Sequence, residues 1–199
     1  MRITNQDLMR SSYKDNNYAD FFTAFIKIHQ PQLVVECGIL DGYSLIAMAK
    51  GLPEGGRAIG IDLFDDYEFK HGTLDAVSSA IWDEGMSQRV DLIRADALVV
   101  ADTFVDDSVD ILHVDISNDG DILAKMFNKW YHKIKEGGYF IFEGGSEPRD
   151  NVEWMTKYNK PKIGVFKLLL QQIPGLEVLT LEPFPSLTIC HIKKKALKR

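Results

Sequence analysis

Along this chain, short unbroken apolar runs give way again and again to stretches in which apolar residues recur at helical spacing. Leu33 to Cys37 is almost wholly apolar, as expected of a strand buried on both faces of a parallel sheet. Tyr43 to Lys50 switches to helical spacing and is closed by Gly51 and Pro53. The pairing repeats downstream. Arg57 to Asp62 predicts a second strand, and 72–85 a helix with Leu74, Val77 and Ile81 on one side. Val90 to Arg94 predicts a third strand, and Asp96 opens a short helix through Phe104. Val109 to Val114 predicts a fourth strand. The helix after it, over 120–135, is the best patterned in the chain, with Leu123, Met126, Phe127, Trp130 and Ile134 on one face. Gly137-Gly138 is expected to end it, leaving Tyr139 to Phe142 as a fifth strand that runs into Glu143.

The flanks read differently. Residues 1–16 are polar and weakly patterned, a short arm. From Asn17 a helix places Tyr18, Phe21, Phe22, Phe25 and Ile26 or Ile28 at helical spacing until Pro31, so residues 1–30 form an arm and a helix that caps the sheet. The outer face of that helix could serve a homodimer contact, although packing on its own sheet is the simpler expectation. Residues 144–160 are rich in Gly, Pro, Asn and charge and read as a loop or lid. A helix over 161–172 with Val165, Phe166, Leu169 and Ile173 inward then precedes strands at 176–181 and 186–192. Pro183 and Pro185 fit the loop between those strands, where a missing N–H costs nothing. Strand–helix alternation followed by two strands with no helix between them predicts an α/β fold. Its sheet is seven-stranded and mainly parallel, with an antiparallel C-terminal edge and helices on both faces, and residues 1–199 make one domain.

Charge and composition narrow the classes. No stretch approaches the length of a membrane-crossing helix, and the polar start, Met1 to Asp7, is unlike a secretory signal. Cys37 and Cys190 both fall in strand-like runs and are expected to be buried free thiols, which suits a reducing cytoplasm. The net charge is −6 although the tail 193–199 carries five cations, so the body is more acidic still. Nucleic acid is not an expected partner, and the tail is expected to be solvated.

The chemistry is expected at the carboxyl ends of the strands, where open α/β sheets bind ligands. Glu36, Asp62, Asp115 and Glu143 end four of the first five strands, and Asp96 follows the third. Acids after strands often cap helices, and Asp96 suits that role, but Glu36 and Asp62 lie several residues before any helix start. The turn Glu36-Cys37-Gly38-Ile39-Leu40-Asp41-Gly42 lacks the middle glycine of a dinucleotide fingerprint, and no Gly-Lys-Ser/Thr phosphate loop is present. A nicotinamide-dependent dehydrogenase is therefore disfavoured. A negative rim is better matched to a neutral or cationic adenosine-bearing ligand than to a pyrophosphate.

These residues resemble a family. Glu36-Cys-Gly-Ile-Leu-Asp-Gly-Tyr-Ser44 is similar to the first motif of class I S-adenosylmethionine-dependent methyltransferases, closest to the catechol- and macrocin-type small-molecule O-methyltransferases. Further matches follow in order: Gly60-Ile61-Asp62, Arg94-Ala95-Asp96-Ala97, Val109 to Asp115, and Lys135 to Phe142. The resemblance implies a Rossmann-like class I methyltransferase fold, S-adenosylmethionine as cofactor, and O-methylation of a small hydroxylated molecule such as a sugar or secondary metabolite. The alternative is a non-catalytic cofactor-binding relic. By the resemblance, Gly38, Leu40 and Gly42 lie in the turn that meets the methionine part of the cofactor, and Glu36 fixes that turn. Ser44 contacts the methionine carboxylate, Asp62 holds both ribose hydroxyls with Leu63 beside the adenine, Asp96 and Ala97 meet the adenine, and Asp115 faces the sulfonium.

The departures concern catalysis. Catechol-type enzymes hold a divalent metal on an Asp after strand four and an Asp-Asn pair after strand five. Here Asp115 and Glu143 could carry Mg²⁺, but Gly144 stands where the Asn would be. Asn118 replaces the catalytic lysine. The base could be Asp115, Asp119 or the acidity of the acceptor, with His113 a further candidate on the same strand face as Asp115. Trp154 and Tyr158 could wall an acceptor pocket, with Arg149 reading an anionic group.

Overall fold

The computed structural model describes residues 8–69, 71–173, 175–183 and 185–193. The basic tail read at 193–199 lies outside these apart from Lys193, as does the start of the arm. Two compact units divide the chain, residues 1–97 and 98–199.

In the first unit, strands β1 (Leu33–Cys37), β2 (Arg57–Asp62) and β3 (Val90–Arg94) lie parallel in the order β3-β2-β1, at the expected positions. β1 is buried from Val34 to Cys37, which explains why its sequence does not alternate. Helices α1 (Tyr18–His29), α2 (Tyr43–Gly51) and α3 (Leu74–Asp83) follow the predicted spacing. Val77 and Ile81 are the buried residues of α3, and Thr73 caps it by accepting from the Ala76 N–H at 3.1 Å. Helix α1 packs chiefly on α2 rather than across the sheet, with the Thr23 hydroxyl donating to the Ala47 carbonyl at 2.9 Å. The arm is more ordered than its sequence implied. Ser12–Asn16 forms a 3₁₀ turn that buries Tyr13 edge-on against Tyr18 and Phe22, with ring centroids 5.4 and 5.3 Å apart.

A short helix α4 (Ala97–Val100) follows β3, and the second unit holds β4 (Val109–Val114), α5 (Gly120–Trp130) and β5 (Ile134–Glu143). Strands β4 and β5 are parallel, while β7 (Leu187–Ile192) is antiparallel to both β5 and β6 (Leu176–Leu181), in the order β4-β5-β7-β6. The two units thus supply the seven strands, mainly parallel with antiparallel C-terminal members, that the sequence pattern predicts.

Two expectations change here. The helical spacing of Leu123, Met126, Phe127 and Trp130 is real, but it stops one turn early. Tyr131–Lys133 tightens into a 3₁₀ turn, and Ile134 pairs with Val109 as the first residue of β5. Gly137-Gly138 therefore lies inside the strand, not after the helix. Gly137 adopts φ 81°, and the register jumps from Val109↔Ile134 to Ile111↔Tyr139, a bulge that needs a left-handed residue. Second, residues 144–160 are not one loop. They contain short helices α6 (Glu147–Asp150) and α7 (Glu153–Tyr158) before the final helix α8 (Lys162–Gln172). Phe166 and Leu169 of α8 are buried, as its spacing implied.

Phe22 is buried against Tyr13 and Tyr18. Truncation removes the ring that joins arm to helix, so Phe22→Ala is expected to cost about 3 to 5 kcal/mol. Urea unfolding of the two proteins measures it; a loss well under ~1 kcal/mol would mean the arm is not packed as described.

Candidate active site

The turn after β1 is built by three left-handed residues in alternation: Gly38 (φ 89°), Leu40 (φ 51°) and Gly42 (φ 88°). Glycine occupies two of these at no steric cost, whereas Leu40 is strained by its own Cβ. Asp62 holds the turn in that shape. Its Oδ2 accepts the Ile39 N–H at 2.6 Å and its Oδ1 the Phe64 N–H at 2.7 Å, while the Gly38 N–H donates to the Ile61 carbonyl at 2.9 Å. Each carboxylate oxygen has two lone pairs, so Asp62 keeps acceptor capacity for two further donors. It is half-buried, and Leu63 beside it is partly exposed. Asp96 is exposed two residues past β3, directly before buried Ala97.

Glu36 is buried in β1, and its Oε1 accepts the Ser44 hydroxyl. The strand end is thereby tied to the first turn of α2. The hydroxyl expected to meet a methionine carboxylate is bonded to Glu36 in this structure.

The pattern did not point to Arg10. Its Nη2 and Nε bond Asp41 Oδ1 and Oδ2 at 2.6 and 2.9 Å, its backbone N–H bonds Oδ2 at 2.7 Å, and Nη2 also reaches the His71 carbonyl at 3.0 Å. The arm is latched to the middle of the turn. The hydrogen bond to Asp41 raises the guanidinium pKa above its ordinary value. A cavity of about 330 Å³ lies beside this latch, lined by Leu8, Met9, Asp41, Ala76, Val77, Ser79, Ala80 and Asp83. None of the residues expected to hold the cofactor lines it.

In the second unit, the register Val114↔Phe142 sets Asp115 and Glu143 one residue further along adjacent parallel strands. Asp115 is half-buried. His113 is fully buried within β4, two residues before Asp115 on the same strand. Asp119 is engaged by its neighbours. It caps α5, accepting from the Asp121 N–H at 2.8 Å, and pairs with Lys160 at 2.9 Å. Burial would push its carboxyl pKa up, but the bonds from Lys160 and the Asp121 N–H prevail and hold it below the ordinary value.

Glu143 is the most changed from expectation. It is buried, and Arg149 Nε bonds its Oε1 at 2.9 Å while Lys162 Nζ bonds its Oε2 at 3.2 Å and its backbone carbonyl at 2.5 Å. Arg149 is therefore buried and bonded to Glu143. A lone lysine after Pro161 at a helix start carries no sequence pattern that would mark Lys162. Its position is set by Asp150, whose two oxygens accept the Lys162 and Ile163 N–H groups at 2.9 and 2.6 Å. The segment after β5 is also tied to β7: the Gly144 N–H donates to the Ser186 carbonyl at 2.9 Å, and the Thr188 hydroxyl donates to the Gly144 carbonyl at 2.7 Å. The start of the segment is thereby fixed to the strand beside β5. Tyr158 is exposed on α7, and the Trp154 side chain lies outside the described residues, so the aromatic wall is not described.

Known proteins point one way. The family model described as O-methyltransferase matches residues 1–171. Caffeoyl-CoA O-methyltransferase 1 of Arabidopsis thaliana is 27% identical, over 86% of this chain and 68% of its own. The flavonoid 3',5'-methyltransferase of Vitis vinifera is 24% identical, over 86% and 74%. Among solved structures, an O-methyltransferase from Bacillus cereus in complex with SAH superposes with a TM-score of 0.72 at 19% identity, covering 94% of this chain and 85% of that one.

Cys37 and Cys190 are both buried free thiols, as expected. Burial, reinforced by the charges of Glu36 and Asp62, holds the Cys37 pKa well above an ordinary thiol, and burial alone raises Cys190. Neither should react with a thiol-exchange dye in the native protein at neutral pH, and both should react in denaturant. Because the folded pKa is raised, the stability these thiols contribute is present below the ordinary thiol value of 9.0 and is lost as pH rises past it. A denaturation midpoint that does not fall in that alkaline range would contradict this.

Proposed function

Because the chain belongs to the O-methyltransferase family, we propose that it transfers a methyl group from S-adenosylmethionine to a hydroxyl of a small acceptor, with phenolic acceptors tried first. The observation that carries the cofactor half is Asp62. A carboxylate fixed by two backbone N–H groups, with lone pairs to spare, is suited to two neighbouring ribose hydroxyls. In this reading Gly38, Leu40 and Gly42 admit the methionine part close to the backbone, while Glu36 and Ser44 brace the turn. Leu63, Asp96 and Ala97 receive the adenine. Phenolic acceptors are put first because the relatives are named for caffeoyl-CoA and flavonoid methylation.

Methyl transfer needs alignment more than functional groups. When bound, S-adenosylmethionine would supply an electrophilic methyl group on its sulfonium, and the acceptor hydroxyl that takes it would have to give up its proton. Asp115, half-buried at the end of β4, is the group assigned to take it. A cytoplasmic setting suits the two buried thiols. Among the described residues, no helix is long and apolar enough to cross a membrane.

Calorimetric titration with S-adenosylhomocysteine tests the reading. Wild type should bind, and Asp62→Ala, which removes charge-assisted bonds to ribose, should bind on the order of a hundredfold more weakly, ~3 kcal/mol. A wild type that does not bind would sink the cofactor assignment. Given binding, product from a phenolic panel supports the acceptor class, and turnover confined to sugar hydroxyls would replace it.

A further inference from the structure

In the catechol-type pattern, Asp115 and Glu143 are placed to carry a divalent cation, yet three features of this chain oppose one. Glu143 gives Oε1 to Arg149 at 2.9 Å and Oε2 to Lys162 at 3.2 Å, and all three side chains are buried, none more than 8% exposed. A cation approaching that carboxylate would meet two positive groups already bonded to it, in a region where water does not screen them. Gly144, where the pattern has a ligating Asn, adopts φ 91°, far from the conformation a side-chain-bearing residue prefers. A Cβ built there would meet Lys162 Cδ at 3.2 Å and Arg149 Cγ at 3.5 Å, so the two cations fill the space a third ligand would need. The bare Gly144 and the ion cluster therefore go together in this fold.

We infer that the Lys162–Glu143–Arg149 cluster stands in place of the divalent metal, so that this methyltransferase works without one. The inference rests on the O-methyltransferase reading only for where a metal would sit; the occupation of Glu143 is a property of the fold. It also gives α8 a role: Asp150 caps its start and sets the lysine where the cation would be. Positive charge at the end of β5 is then supplied permanently rather than recruited.

The test is Mn²⁺ binding read by electron paramagnetic resonance, on the wild type with and without S-adenosylhomocysteine. The expected result is no loss of the free Mn²⁺ signal at millimolar ion, together with a thermal midpoint that is the same in Mg²⁺ and in EDTA. Saturable, stoichiometric Mn²⁺ binding that disappears in Asp115→Asn would overturn the inference. No variant of the cluster is needed, so misfolding cannot cloud the result. Titration of the same preparation with S-adenosylhomocysteine reports separately on the cofactor: failure there would defeat the methyltransferase reading while leaving the metal result intact.

Discussion

The Asp62 carboxylate is the constraint on which the candidate cofactor turn depends. Three left-handed residues in five positions, one of them a leucine, do not hold themselves in place. The bonds from the Ile39 and Phe64 N–H groups do so, by joining the turn after β1 to the loop after β2 through a single side chain. Parallel register then matters, since Cys37 lies opposite Ile61 and the carboxylate one residue further is level with the turn it grips. Glu36 and Ser44 repeat the device on the helix side, and Arg10 repeats it at Asp41. The turn is over-determined by polar and charged side chains in addition to the burial of Ile39.

The end of β5 is solved in another way. A buried carboxylate demands compensation, and two side chains from downstream helices provide it. Removing either partner of such a pair typically costs about 3–5 kcal/mol, because the charge left behind stays buried. The same residues therefore appear as fold-holding and as replacements for an ion, and separating those roles requires a readout of the ion itself.

Much of the fold was legible in the sequence because parallel strands buried on both faces write themselves as apolar runs. β1, β2, β3 and β4 all start and stop where those runs do. The turn after β1 was legible because its glycines are required by backbone conformation and leave a spacing. What escaped notice lacked a local signal. Ile134 continues the helical spacing of α5, and only pairing with Val109 reveals it as a strand residue. The cluster on Glu143 brings together residues 6 and 19 positions away, and nothing in local composition marks Arg149 or Lys162 as internal. The arm is weakly patterned because Tyr13 and Arg10 each make their contacts alone, without periodicity.

The ion cluster also bears on the order in which the second unit assembles. Lys162 is buried only because Glu143 is there, and Glu143 only because both cations are. A partly docked state, with β5 in place but α8 still loose, would leave a carboxylate in an apolar setting with half its compensation missing. Such a state is penalised against both the loose chain and the finished unit. Charge burial here acts as a cooperativity device: it empties the middle of the folding reaction, so that the final helix and the strand it caps arrive together or not at all.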